Sequence, residues 1–335
     1  MEKRLFGKLS DGREVYIYTL KFGEAVAEVM DYGATIVSYR PFDGRDIIGG
    51  YDELASYETD GSNQGATIGR VANRIEDAEF TMDGAIYMLP ANNNGNCLHG
   101  GVGFKRKIWE VLEYDGETIL LSCFSPDGDD GFPSDLETKV RFTLSGNALI
   151  ISYEAIPCGK TPIALTNHSY FNLCGFGGDI KDHRIRIFAD SYTEVDERLI
   201  PTGVRPRVDG TPFDLREPKR IGEDFGDDFS GYDHNFILAP KTFRDFGGTR
   251  VGLAAEVWGG GLYLAAYTDQ PGIQLYTANF LSGEPDFRGG VKRIKHGAFC
   301  LEAQTEPNCV KRGEGFYEAG DIYRQTTVYE VKRDV

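Results

Sequence analysis

The sequence lacks the long apolar runs of a membrane protein and the basic surplus of a nucleic-acid-binding protein. No apolar stretch approaches the roughly 18 residues that a membrane-spanning helix needs. With 52 acidic and 36 basic residues, the formal net charge is −16. A field of that sign repels nucleic acid and anionic membrane surfaces, so we expect neither as a partner. A small neutral ligand is unaffected by it.

Paired cysteines and an export signal are also missing. The six cysteines are scattered without a C-x-x-C pair, and the opening segment MEKRLFGKLSDGREVY has no apolar core and no cleavage site. In a chain of 335 residues, long enough to bury a large core, such cysteines are typical of reduced thiols. We therefore expect a cytoplasmic location.

The sequence signatures of common cofactor-dependent enzymes are absent. GKT at 159–161 resembles the end of a P-loop, but Glu154 stands where that loop needs glycine. There is no G-x-S-x-G nucleophile elbow and no H-x-x-x-H pair. In SPDGDDGFPSDL, Gly131 stands where a calcium loop beginning at Asp127 needs an oxygen ligand, which favours a charged turn. We expect no metal and no cofactor, and acid–base chemistry if the chain is an enzyme.

Strand patterns recur from end to end of the chain. From Leu136 to Leu144, apolar residues alternate with polar ones, and a Ser-Gly-Asn turn then precedes ALIISYEAI, which predicts a β-hairpin. Other strand-like stretches are EVYIYTL, TILLSCF, HRIRIFA, GLYLAAY, IQLYTANF and FCLEAQ. Helical periodicity over about 12 residues is nearly absent. This pattern predicts an all-β sandwich or barrel with few short helices, and without a linker or repeat we expect a single domain over residues 1–335.

Polar side chains cluster in short blocks beside these strands. They are Asn73 and Arg74 in GATIGRVANRI, His99 in NCLHGG, His168 and Tyr170 in TNHSYFNL, Asp233 in GYDHNF, Gln274 in QPGIQLYTANF and Glu302 in FCLEAQ. Taken singly, most have an ordinary structural explanation, although Glu302 follows an apolar run in which a carboxylate needs a partner. Together they offer the donors, acceptors and aromatic rings that bind a neutral sugar. One carboxylate and one imidazole can also serve as general base and general acid.

From about Gly65 to Gln304, the residues of these blocks and the order in which they occur resemble those of the aldose 1-epimerase (galactose mutarotase) family. TNHSYFNL is the most specific block. The resemblance implies a large β-sandwich of the galactose-mutarotase type, with the sugar in an open cleft on one sheet. It implies an enzyme that interconverts the α and β anomers of free hexoses such as galactose and glucose, without metal or cofactor. It assigns the general base to Glu302 and the general acid to His168. It assigns sugar contacts to Asn73, Arg74, His99, Asp233 and Gln274, with Tyr170 lining the site.

Three departures from the family pattern stand outside the acid–base pair. Ala303 occupies a position where proline is common, Asn308 a position where aspartate is common, and Tyr232 a position where phenylalanine is common. They bear on local strand shape and on sugar preference.

Several alternatives stay open. A mutarotase for another aldose is one alternative, and a mutarotase for hexose 6-phosphates is another, although the basic run 105–107 near His99 is more typical of a solvated turn. A glycoside hydrolase or lyase would need two carboxylates, for which Glu302 and Asp233 are available. A non-catalytic sugar-binding protein would use the same polar residues. The sequence carries no interface signature and leaves a monomer or a homodimer.

Overall fold

The computed structural model describes residues 2–42 and 44–334, and its regular structure consists almost entirely of β-strands. In chain order the strands are β1 Glu2–Lys8, β2 Glu14–Phe22, β3 Ala25–Met30, β4 Thr35–Arg40, β5 Thr67–Ile68, β6 Arg74–Ile75, β7 Glu79–Met82, β8 Ala85–Met88, β9 Cys97–Leu98, β10 Glu110–Tyr114, β11 Thr118–Ser125, β12 Leu136–Ser145, β13 Ala148–Pro157, β14 Thr161–Pro162, β15 Thr166–Asn167, β16 Arg184–Ile187, β17 Ala189–Tyr192, β18 Lys219–Arg220, β19 Asp233–Leu238, β20 Phe243–Phe246, β21 Thr249–Gly259, β22 Leu262–Thr268, β23 Gly272–Tyr276, β24 Gly283–Phe287, β25 Val291–Arg293, β26 Cys300–Gln304, β27 Phe316–Tyr317 and β28 Tyr323–Arg333.

Helices are few and short in the part of the chain that the structure describes. One α-helix, α1, spans Leu54–Thr59. Five 3₁₀ segments span Glu76–Ala78, Phe104–Arg106, Asp129–Gly131, Arg288–Gly290 and Cys309–Arg312. None of the described helices is long and apolar enough to cross a lipid bilayer. The predicted all-β class with few short helices is confirmed.

The hairpin predicted from period-2 alternation is formed by β12 and β13. Ser145 pairs with Ala148 around the Gly146-Asn147 turn. Val140 and Phe142 are fully buried, because alternate residues of a strand project to the same face. The other predicted stretches also contain strands, with two differences in extent. HRIRIFA is divided between β16 and β17, and β23 ends at Tyr276, ahead of a left-handed backbone at Ala278 with φ of 50°.

Two sheets carry the architecture. The larger has ten strands, ordered β10-β11-β12-β13-β28-β22-β21-β16-β18 with β20 beside β21. The smaller, which we call the site sheet, has the order β17-β19-β23-β26. A third sheet, β1-β2-β3-β4, adds its apolar face to the same core. Layered sheets that share one core form a β-sandwich, as predicted.

Alternation along the site sheet separates a core face from a cleft face. Ile273, Leu275 and Leu301 belong to the main hydrophobic core. The Tyr329 hydroxyl of β28 donates to the Leu301 carbonyl at 2.6 Å, which ties the site sheet to the large sheet. The intervening residues of β23 and β26 therefore project to the opposite face, away from the core.

Candidate active site

A cleft of about 580 Å³ opens over the cleft face of the site sheet. Seven of the eight residues predicted from the sequence line it, namely Asn73, Arg74, His99, His168, Tyr170, Asp233 and Glu302. Gln274 lines a small adjoining cavity together with Asp233. The folded chain thus brings together all of the predicted positions, although they come from segments far apart in sequence.

Strand register explains why the carboxylates and amides of the site share one face. Gln274 pairs directly with Glu302 across β23 and β26, and with Asn235 across β19 and β23. Asp233 pairs with Tyr276 two residues along the same strands. Directly opposed residues of an antiparallel pair project to the same side of the sheet. A shift of one residue would move all of these side chains into the core.

The central pair of the site is His168 and Glu302. His168 Nε2 lies 3.7 Å from Glu302 Oε1, and both side chains are buried. Glu302 Oε2 has no hydrogen-bond partner among the described residues, although it is inaccessible to solvent. An unpaired carboxylate oxygen in such a place is costly unless a ligand supplies a donor.

Burial shifts both groups toward their neutral forms. It raises the pKa of Glu302 well above its ordinary value, and the nearby negative charge of Asp233 adds to this rise, while Arg74 opposes it. Burial likewise lowers the pKa of His168 to about 4. Between the two shifted pKa values the pair therefore holds one proton, and burial favours its position on Glu302.

The ring of His168 is held by its neighbours. It stacks on Tyr170 with a centroid distance of 5.0 Å, and the Tyr170 hydroxyl donates to the Ser62 carbonyl at 3.1 Å. Cys300 Sγ lies 3.7 Å from His168 Nδ1 on the side away from Glu302. These contacts keep Nε2 directed at the carboxylate.

His99 is fixed as a hydrogen-bond donor toward the cleft. The Asn73 backbone N–H donates to His99 Nδ1 at 3.2 Å, so the proton of the neutral ring is on Nε2. Burial lowers the pKa of His99 well below its ordinary value, which keeps the ring neutral. Asn73 and His99 both have left-handed backbones, with φ of 62° and 55°. Asn and His tolerate this conformation better than most residues, and strained residues often cluster at functional sites.

Asp233 sits between a cation and an amide. Arg74 NH1 lies 3.9 Å from Asp233 Oδ2, and Gln274 Nε2 donates to Asp233 Oδ1 at 2.8 Å. Arg74 Nε also donates to Asn93 Oδ1 at 3.1 Å, which fixes the guanidinium. Burial raises the pKa of Asp233, although Arg74 and Gln274 oppose the rise. Gln274 therefore supports Asp233 from the side.

The side chains of His99, His168 and Glu302 are also close enough together to bind a metal ion. One potential ligand atom from each lies within 4.8 Å of the others. A metal at His99 Nε2 would need the proton to move to Nδ1, where the Asn73 N–H already donates. The cluster is therefore better suited to hydrogen bonding than to metal coordination.

Some residues of the cleft were missed by sequence reasoning. Tyr276 lines the cleft and follows Gln274 by two positions, so strand alternation could have found it. Asn93 comes from an asparagine-rich loop with no signal of its own. At the far end of the cleft, Arg293 NH1 lies 2.7 Å from Asp60 Oδ1 in a buried ion pair. Only the tertiary structure places those two residues together.

The sequence of the chain matches a known family over most of its length. The family model for aldose 1-epimerase matches residues 16–330. The chain belongs to the aldose 1-epimerase family. As a member, it is an enzyme that interconverts the α and β anomers of a sugar.

Similar proteins cover almost the whole epimerase. The human galactose mutarotase is 42% identical over 341 residues, covering 98% of this chain and 97% of the relative. The aldose 1-epimerase of Escherichia coli K12 is 35% identical, covering 96% of each chain. The structure of galactose 1-epimerase from Lactobacillus acidophilus has a TM-score of 0.86 at 27% identity, covering 100% of this chain and 99% of that one.

In the basic run of this epimerase, residues 105–107, Arg106 and Lys107 are bound to other groups. Lys105 instead lies close enough to His99 and His168 to add to the effect of burial in lowering their pKa values. Lys107 forms an ion pair with Asp129 at 2.5 Å, and the Arg106 guanidinium donates to the backbone carbonyls of Glu58 and Asp60. None of the three basic residues lines the cleft. The pairing of Asp129 with Lys107 also fits the charged turn predicted for its loop.

Proposed function

We propose that Glu302 is the general base and His168 the general acid of this epimerase, and that the sugar is a free hexose such as galactose or glucose. One observation carries the proposal. A buried carboxylate with an unpartnered oxygen lies 3.7 Å from a buried imidazole at the wall of a cleft. Such a pair supplies the two proton transfers that opening a hemiacetal ring requires.

With the sugar bound, the one proton of the pair lies on His168, so the reaction begins with Glu302 ionised and His168 protonated. Glu302 takes the proton of the C1 hydroxyl, and the C1–O5 bond breaks as O5 takes a proton from His168. The C1 carbon becomes an open-chain aldehyde, which rotates about the C1–C2 bond and presents its other face. Ring closure reverses both proton transfers and gives the other anomer.

The pair keeps the same number of protons throughout this cycle. Ring opening leaves Glu302 protonated and His168 neutral, and burial favours these two forms. The pair therefore passes between an ion pair with the closed ring and two neutral groups with the open chain. Neither direction leaves a net charge in the buried site, where a lone charge would be expensive.

The remaining hydroxyls of the sugar are assigned to the fixed polar groups. His99 Nε2 and Arg74 supply donors, while Asp233 supplies an acceptor whose charge Arg74 balances. The rings of Tyr170 and Tyr276 offer apolar faces for the C–H groups of the pyranose. Firm contacts to the sugar body leave C1 free to turn between the two catalytic groups.

Polarimetry tests the proposed substrate class. Freshly dissolved α-D-galactose and α-D-glucose are expected to reach their equilibrium rotation faster with the protein, without any change in the final value. An enzyme alters the rate and not the equilibrium, so a changed end point would indicate another reaction. No acceleration with either sugar would contradict the assignment to free hexoses, and pentoses and hexose 6-phosphates would be tested next.

The pH profile of kcat/KM tests the acid–base pair. Activity requires one proton on the pair, and a second proton removes the base. Because the pKa of His168 is lowered to about 4, activity is expected to persist through pH 6 and to fall only near pH 4. The alkaline limb follows loss of the proton from Glu302, whose pKa is raised.

The profile is measured by polarimetry, with the spontaneous rate subtracted at each pH and folding checked by circular dichroism. An acid limb near 6.5, the ordinary value for histidine, would contradict the arrangement of the pair.

Three further assignments complete the proposal. Glu302 and Asp233 do not act together as the two carboxylates of a glycoside hydrolase in this proposal. Gln274 and Arg74 contact Asp233, whereas His168 faces Glu302. The six cysteines are free thiols, which supports a cytoplasmic location. We also propose that residues 1–335 act as one domain, as a monomer or a homodimer.

A further inference from the structure

A layer of buried polar side chains lies behind the residues that face the sugar, and the acid–base mechanism does not use it. Asn235 is the direct cross-strand partner of Gln274 on the cleft face of the site sheet. Their exposed fractions are 2% and 3%. Directly opposed residues of an antiparallel pair project to the same side, so the two amides lie next to each other.

Hydrogen bonds fix the orientation of both amides. Gln274 Nε2 donates to Asp233 Oδ1 at 2.8 Å, because the amide oxygen would have no proton to offer a carboxylate. Asn235 Nδ2 donates to Thr193 Oγ1 at 3.1 Å, and the Thr193 hydroxyl donates to Glu306 Oε1 at 2.8 Å. Gln274 Oε1 and Asn235 Oδ1 are then acceptors that no group in the described part of the chain satisfies.

The outer end of this chain of bonds is a fixed anion. Glu306 Oε2 forms ion pairs with the guanidinium groups of Arg205 at 2.5 Å and Arg312 at 3.2 Å. The Glu306 side chain is 12% exposed. Burial acts to raise the pKa of Glu306, but the bonds from Arg205 and Thr193 outweigh it and hold the pKa below its ordinary value. Glu306 therefore stays a hydrogen-bond acceptor. The Thr193 hydroxyl must then donate to Glu306, and it accepts the bond from Asn235 Nδ2.

The two amides border a cavity of about 10 Å³, which is lined also by Thr193 and Asp233. This volume corresponds to about one buried water, and such a water typically makes about 3 hydrogen bonds. One water has two protons to donate, and the amides offer two unsatisfied oxygens. A bridging water would therefore complete the hydrogen bonding on both sides.

We propose that Thr193 and Asn235 are positioning residues for the sugar-binding carboxylate. With one water bound between Asn235 and Gln274, they hold the Gln274 amide, and through it they hold Asp233 at the angle at which it accepts a sugar hydroxyl. The inference rests on the proposed contact between Asp233 and the sugar. The layer acts mainly on affinity for the sugar, because the hydrogen bond from Gln274 goes to Asp233 and not to His168 or Glu302, although Gln274 lies beside Glu302.

The test is Thr193→Val, which removes the hydroxyl and keeps the shape of the side chain. The expected result is a KM for galactose raised roughly fivefold to tenfold, with kcat within about twofold of wild type. Thr193→Ser keeps the hydroxyl and is expected to restore the wild-type KM. Thr138→Val is the matched control, since Thr138 is fully buried in β12 and its hydroxyl bonds to none of the residues that the structure describes. It is expected to change neither constant.

Asp233→Asn, measured in the same series, separates the possible failures. If it leaves KM unchanged, Asp233 does not bind the sugar, and the proposed contact and the positioning layer are both wrong. If it raises KM while Thr193→Val does not, only the layer is wrong, whether or not Thr193→Val lowers the melting temperature. A fall in kcat with unchanged KM for Thr193→Val would also overturn the layer. A crystal structure is expected to show a water within hydrogen-bond distance of both amide oxygens, and its absence would overturn the bridge.

Discussion

Replacing Glu302 with glutamine is expected to lower kcat for anomer interconversion by about 10²–10⁴-fold, the usual contribution of one positioned proton transfer. Glutamine has nearly the same shape, but its amide cannot take the C1 hydroxyl proton. KM is expected to change much less than kcat, because the other sugar contacts stay in place. Polarimetry with α-D-galactose measures both constants. A kcat within tenfold of wild type would exclude Glu302 as the base.

The stability of the same variant supplies a second check. In the folded chain the pKa of Glu302 is raised, so its contribution to stability is present at low pH and is lost as the pH rises through that value. Glu302→Gln should therefore be at least as stable as wild type at pH 8. Glu256→Gln is the matched control, because Glu256 is a largely buried carboxylate on β21, with a 14% exposed side chain, that accepts a bond from Tyr263. Its kcat is expected to match wild type.

Replacing His168 with asparagine is expected to lower kcat by a similar factor of about 10²–10⁴. The variant loses the group that protonates O5, so the ring oxygen must leave as an unprotonated alkoxide. The acid limb near pH 4 should disappear from the residual activity, since that limb reports protonation of His168. Progress curves followed by polarimetry across pH give both results.

A second buried histidine offers the control for this variant. The pKa of His183 is also lowered to about 4 by burial, but its Nε2 accepts a bond from the Leu173 backbone. His183→Gln can keep that bond and is expected to retain kcat. The double variant Glu302→Gln with His168→Asn should be little slower than the slower single variant, because the two groups act as a unit. Losses that multiply instead would show that the two residues act in separate steps.

Period-2 alternation predicted the strands and the sides to which their residues project. It could not predict which strands become neighbours, because pairing depends on residues far apart in the chain. Gln274 and Glu302 lie in separate segments, and only their register places them opposite each other. The family resemblance predicted the cleft residues because it carries information about the folded arrangement. Local sequence patterns carry no such information, and for that reason they missed Asn93.

Two of the three departures from the family pattern, Ala303 and Asn308, do not line the cleft. Ala303 faces the core side of β26, and its carbonyl accepts bonds from Thr166 and Gln325. Asn308 has a left-handed backbone with φ of 60°, and its side chain accepts the Glu76 N–H, as an aspartate could.

The position of β28 in the large sheet has a consequence for how the chain is made. β28 lies between β13 and β22 and pairs with both, although its residues are synthesised long after β13. Until they leave the ribosome, the large sheet exists as two halves, each with an unpaired edge that could bind other chains. The large sheet can therefore close only after β28 has been made, so the joining of its two halves is a late step in the folding of this chain.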